Sequence, residues 1–165
     1  QAEVLLTEAE QRSRSVLGAG HPDSTFAMQS LGSVLQQQAG TTKEGKAVPD
    51  QERSRLLARA EPLLRASLAA WEQVHGPDDP ETISRCNNLG NLLKDVGDLN
   101  EAEGLLREAL KACRENPLLG DKHPQTLASI NNLAHLLELK GDLEAAVRQD
   151  NSPWCSRCGC SHAAD

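Results

Sequence analysis

A glycine, two variable residues, a histidine or aspartate, and a proline recur three times along this chain, as Gly18 to Pro22, Gly76 to Pro80 and Gly120 to Pro124. The second proline stands 58 residues after the first, and the third 44 after the second. Nine residues beyond each proline comes a leucine followed by a small residue: Leu31-Gly32, Leu89-Gly90 and Leu133-Ala134. Another leucine follows four further on, at Leu35, Leu93 and Leu137. Self-similarity at this period marks stacked supersecondary units, none of which can bury its apolar face alone.

The spacing predicts a helical hairpin in each unit. Proline at the start fits the first turn, where its missing N–H is not needed. Ala39-Gly40, Gly97-Asp98 and Gly141-Asp142 then supply the left-handed glycine that ends a helix. A second helix begins around Ala60-Glu61-Pro62-Leu63-Leu64 and again, 42 residues later, around Ala102-Glu103-Gly104-Leu105-Leu106. Ala2 to Leu6 matches both, so the chain opens on a second helix. Small residues seven apart, Ala2 and Ala9, Ala60 and Ser67, Ala102 and Ala109, lie on one stripe and let helix axes approach. Leu6, Leu64 and Leu106 stand between them as knobs.

The expected organisation is a half repeat over 1–20, a repeat over 21–76 carrying an insertion at 41–56, a repeat over 77–120 and a truncated repeat over 121–148. The insertion should start as a flexible loop and end as a helical extension from about Asp50. The last second helix should fail just after Val147, because by register Asp150 and Pro153 replace Leu106 and Ala109, and neither a carboxylate nor a proline suits a helix core position. Residues 149–165 then form a cysteine-containing disordered tail. A start without Met inside a helical pattern points to a fragment or a processed product.

Composition narrows the function. With Phe26, Trp71, Trp154 and no tyrosine, base or sugar stacking has little to work with, and the core must be aliphatic. The formal charge of −7 lies wholly within residues 1–150, because Arg157 and Asp165 cancel in the tail. That balance speaks against a nucleic-acid partner, since phosphate affinity rests on clustered Lys and Arg. A protein or peptide partner of neutral or basic character is expected. No apolar run reaches the ~18 residues of a membrane span, and the N-terminus lacks the pattern of a secretory signal. Five cysteines, an odd number, do not suggest a disulfide framework, so a cytoplasmic, reducing location is expected.

The Leu-Gly/Ala pair in the first helix, the Ala, Leu and Ala/Ser positions in the second, the Asn87-Asn88-Leu89 and Asn131-Asn132-Leu133 triplets and the Gly-Asp-Leu turn together resemble the tetratricopeptide repeat. The long loop ending in His-Pro or Asp-Pro is similar to its kinesin-light-chain type, with a period of about 42 residues. The resemblance covers nearly all of the chain up to Arg148. It implies an all-α, right-handed superhelical solenoid of about six helices, a protein-interaction scaffold rather than an enzyme, with first helices lining a concave groove. By register the groove positions are Gln29, Ser33, Asn87, Asn91, Asn131 and His135, with Lys94 one turn further. Amides suit such a surface because each offers two donors and an acceptor to an extended main chain. Asn88 and Asn132 are expected to bond between packed helices, His21 and His123 to cap their loops, and Asp79 to lie on a turn or helix start where a carboxylate suits the helix dipole.

No Ser-His-Asp order, paired carboxylates in a concave site or glycine-rich phosphate loop is evident, so neither catalysis nor a cofactor is expected. Cys86 and Cys113 fall in core slots as small hydrophobes. Cys155, Cys158, Cys160 and His162 carry ligand types that zinc prefers, yet structural sites ordinarily use two separated pairs, and these four crowd one short tail. A zinc-binding tail on a helical scaffold is the alternative of another class. Self-association or intramolecular regulation through the uncapped ends of the array is the alternative within the binding class.

Overall fold

The computed structural model describes residues 2–40 and 48–141. Within them the chain forms six helices and no strand: α1 (Ala2–Leu17), α2 (Pro22–Gly40), α3 (Asp50–His75), α4 (Pro80–Val96), α5 (Leu99–Glu115) and α6 (Pro124–Leu139). Each helix packs on the next along the chain, with lighter contacts from α2 to α4 and from α4 to α6. The first helices α2, α4 and α6 thus form one row of a solenoid, and the second helices α1, α3 and α5 form the other.

The repeated landmark acts as a helix start. Asp79 accepts hydrogen bonds from the amides of Glu81 and Thr82, at 3.0 and 3.2 Å. Nδ1 of His123 accepts from the amide of Gln125, and Nδ1 of His21 from that of Asp23, each at 3.2 Å. The three side chains satisfy amides of the first turn that have no intrahelical partner. At the other end of α4, Gly97 adopts φ 101°, and its N–H reaches the carbonyls of Leu93 and Lys94. A left-handed residue there closes the helix, and Gly141 is likewise left-handed after α6, whereas Gly40, expected to do the same, stays within α2 without a positive φ.

The helical part of the insertion begins at Asp50, where the extension was expected, and makes α3 26 residues long. Residues 41–47, and the predicted loss of the last second helix, lie outside the described residues. Pro62 sits inside α3, at the register position of Gly104 in α5. It denies the carbonyl of Ala58 an intrahelical donor, and Ala58 is exposed, so water can replace it.

One aliphatic core runs through α2 to α6, built from residues such as Leu31, Leu35, Leu64, Leu89, Leu93, Leu106, Leu133 and Leu137, with Leu6 of α1 packed against it. Within a hairpin the helices touch through a glycine. A Cβ on Gly32 would stand 2.6 Å from Cδ2 of Leu64, and one on Gly90 2.8 Å from Cδ2 of Leu106. The small residue of each Leu-Gly pair is therefore the socket for the knob of its own second helix.

Candidate peptide-binding face

Positions three and four apart share a helical stripe. On α2 that stripe carries Phe26, Gln29, Ser33 and Gln36; on α4, Ser84, Asn87, Asn91 and Lys94; on α6, Ala128, Asn131, His135 and Glu138. The structure sorts the expected groove residues by depth. Ser33, Asn131 and His135 are exposed, and Asn91 and Lys94 are half-buried. Gln29 and Asn87 lie deeper, only 8% and 6% exposed.

Asn87 explains its own burial, because its Nδ2 donates to Oγ of Ser129 on α6 at 2.7 Å. Asn87, expected to face the groove, thus forms the kind of bond between packed helices that was expected of Asn88 and Asn132. A second link between first helices joins Nε2 of Gln36 to Oδ2 of Asp95 at 2.6 Å. Nζ of Lys94 stands 3.1 Å from Nδ1 of His135, joining α4 to α6. Both side-chain polar atoms of Gln29 and the amide oxygens of Asn87 and Asn91 are buried without a hydrogen-bond partner. An unpaired buried polar atom costs about 1–3 kcal/mol.

A second cluster lies at one end of this face and was not read from the sequence. Arg85 on α4 is only 1% exposed. Its guanidinium donates to the carbonyl of Thr25 at 3.2 Å and to the hydroxyl of Ser67, pairs with Glu81 at 3.3 Å, and lies 4.6 Å from the ring centroid of Trp71. Burial lowers its pKa against the opposing pull of Glu81 and Asp79. Trp71 donates its indole N–H to Asp79 at 3.0 Å and stacks on His75 with centroids 4.3 Å apart. A signal was present. By register Arg85 replaces Ala27 and Ser129, and Ser67 replaces Ala9 and Ala109, so the repeat departs from its pattern on both sides of one contact.

Among the described residues, no group of three or more His, Cys, Asp or Glu side chains could hold a metal ion. Cys155, Cys158, Cys160 and His162 lie outside the described residues. Cys113 is buried and Cys86 half-buried, as their core slots suggest. Burial pushes the Cys86 thiol up to about 11, with Glu72 and Glu108 adding to the effect, so it is a poor nucleophile. Among the described residues, no helix is long and apolar enough to cross a membrane.

The tetratricopeptide repeat family model matches residues 52–115 and 87–152, and the chain belongs to that family. Its repeats are protein-interaction modules. Among solved structures, the chain is similar to the nearly identical TPR-like repeats of a kinesin-light-chain candidate from Podosopora anserina, at 20% identity and a TM-score of 0.72, over 89% of this chain and 61% of that one. BtubC (BKLC) from P. vanneervenii is similar at 17% identity and a TM-score of 0.67, over 99% of this chain and 62% of that one. The solenoid is therefore of the kinesin-light-chain type in fold, and the chain spans about three fifths of these solved chains. No curated protein matches it.

Proposed function

We propose that the chain is a non-catalytic scaffold that holds a peptide or protein segment along the row of first helices. The observation that carries this reading is the polar row that the first helices present, with Ser33, Asn131 and His135 exposed and Asn91 and Lys94 half-buried on matching stripes. A main chain laid across them offers its N–H and C=O groups to their amide, hydroxyl and ring atoms. Ser33, Asn131 and His135 form the accessible edge, and Lys94 adds a cation for a carbonyl or carboxylate. The net charge of −7 favours a partner of neutral or basic character.

A peptide array probed with the wild-type chain and with Asn91→Ala/Asn131→Ala tests this. Asn87 is spared because it holds α6 through Ser129. The double variant should lose most bound peptides while keeping its helical circular dichroism, and retention of every peptide would overturn the reading.

A second reading is self-association through α1. Val4, Leu5 and Val16 are exposed there, Val16 by 78%. Sedimentation equilibrium should then give a mass that rises with concentration and falls back to that of one chain in Leu5→Glu/Val16→Glu.

A further inference from the structure

The groove reading leaves unused a cleft of about 440 Å³ where the starts of α2 and α4 meet the end of α3. Its walls include Phe26, Trp71, Asp23, Glu81 and Arg85. Phe26 is 66% exposed, although it is the chain's one phenylalanine and sits on the same stripe as Gln29 and Ser33. A large ring left in water beside an indole is a surface with an apolar stem or a cation still to receive. The charges decide between these occupants. Asp23 and Glu81 bring two carboxylates to the rim, with side chains 77% and 48% exposed. Among the described residues that line the cleft the one cation is Arg85, which is buried and already engaged by Thr25, Ser67, Glu81 and the face of Trp71. An anionic ligand would have to displace Glu81 from that guanidinium and then sit against Asp23.

We propose that this cleft receives a lysine or arginine side chain of the segment bound along the first helices, its methylene stem on Phe26 and its cationic end between Asp23 and Glu81. The proposal rests on the groove reading for the path of the main chain, and it adds the side chain that the groove selects. The stem buries apolar area on the exposed ring while the head keeps its charge near carboxylates and water, the arrangement that long basic side chains adopt at surfaces. Cation–π and exposed ion-pair contributions together amount to about fivefold in affinity.

The test uses three capped Ala/Ser decapeptides that differ only at one central residue, lysine, norleucine or glutamate, titrated into the 15N-labelled chain. Side-chain amide resonances of Asn91 and Asn131 report the groove, and the indole resonance of Trp71 reports the cleft. The lysine peptide should bind about fivefold more tightly than the norleucine peptide and shift the Trp71 indole, and that preference should vanish in Phe26→Ala and in Asp23→Asn. Both substitutions fall on exposed side chains, whereas Glu81→Gln would strip a partner from Arg85. Asparagine shifts of equal size for lysine and norleucine, with Trp71 silent, would sink the cleft and spare the groove. Lysine-dependent shifts at Trp71 without any at the asparagines would uphold the cleft as a site and overturn the groove. Preference for glutamate, or no shift at either place, overturns the proposal.

Discussion

Asn87 and Ser129 join α4 to α6 by one hydrogen bond of 2.7 Å, and the same two register positions one unit earlier hold Gln29 and Arg85. The earlier unit thus solves the same contact with a buried cation, leaving both polar atoms of Gln29 unpaired. Restoring the later unit's solution is a direct experiment. Arg85→Ser alone should cost about 2–4 kcal/mol, through the void and the unpaired groups it leaves. Adding Gln29→Asn should return about 1–2 kcal/mol of that, by rebuilding the Asn–Ser bond, while Ser67 keeps its own bond to the carbonyl of Thr25 at 2.9 Å. Urea titrations of the single and combined variants give the coupling, and strict additivity would show that the two positions do not communicate.

The glycine sockets make a steric prediction. Gly90→Ala places a methyl group 2.8 Å from Cδ2 of Leu106 and should destabilise by about 1–3 kcal/mol. Leu106→Val should cost about 1 kcal/mol alone, yet relieve part of the damage when combined with Gly90→Ala. Thermal melts of the two single variants and the pair decide the matter.

Acid should loosen the links between neighbouring helices. Arg65 holds the Glu101 carboxylate below its ordinary range, through contacts of 2.6 and 2.7 Å. Lys140 and Arg107 do the same to Glu103. Asp79 is lowered as well: its burial pushes upward, but the Trp71 indole and the amides of Thr82 and Glu81 outweigh that. Carboxylates with depressed folded-state pKa values contribute stability that is complete above the unfolded value of about 4 and disappears as the pH falls through the folded one. The urea midpoint should therefore hold steady from neutral pH down to about 5 and drop below about 4. Glu101→Gln should flatten that drop only slightly, since an exposed pair contributes about 1 kcal/mol or less.

Thiol chemistry should separate by burial. In the folded chain at neutral pH, Cys86 and Cys113 should resist iodoacetamide for hours, and both should label rapidly in urea. Peptide mapping by mass spectrometry reads each site, and rapid labelling of Cys86 in the native state would contradict its thiol pKa of about 11.

The helix starts were legible in the sequence because a cap needs only a local signal: an acceptor side chain followed by proline at His21, Asp79 and His123. The knobs Leu64 and Leu106 were legible too, from the small residues that flank them, whereas the glycines that receive them, Gly32 and Gly90, stood out only as part of a repeated pair. The depth of Gln29 and Asn87 was not legible, because whether an amide on that stripe meets solvent or a neighbour depends on the residue that the next unit presents. Arg85 was hidden for the same reason. A charged residue on a first helix reads as solvated until Thr25, Ser67 and Trp71, distant in sequence, are brought around it.

The second helices carry a consequence of their own. Arg59 on α3 reaches Glu3 on α1 at 2.9 Å, and Arg65 on α3 grips Glu101 on α5. Each pair spans two successive units on the outer row, at positions open to water, and such contacts weaken as ions screen them over a length of about 8 Å in physiological salt. The outer row is thus laced by ion pairs, while the inner row joins a neutral bond at Asn87 and Ser129 to links that carry a single charge, Gln36 with Asp95 and Lys94 with His135. Added salt should therefore weaken the Arg59–Glu3 and Arg65–Glu101 links while leaving the Asn87–Ser129 bond almost unchanged.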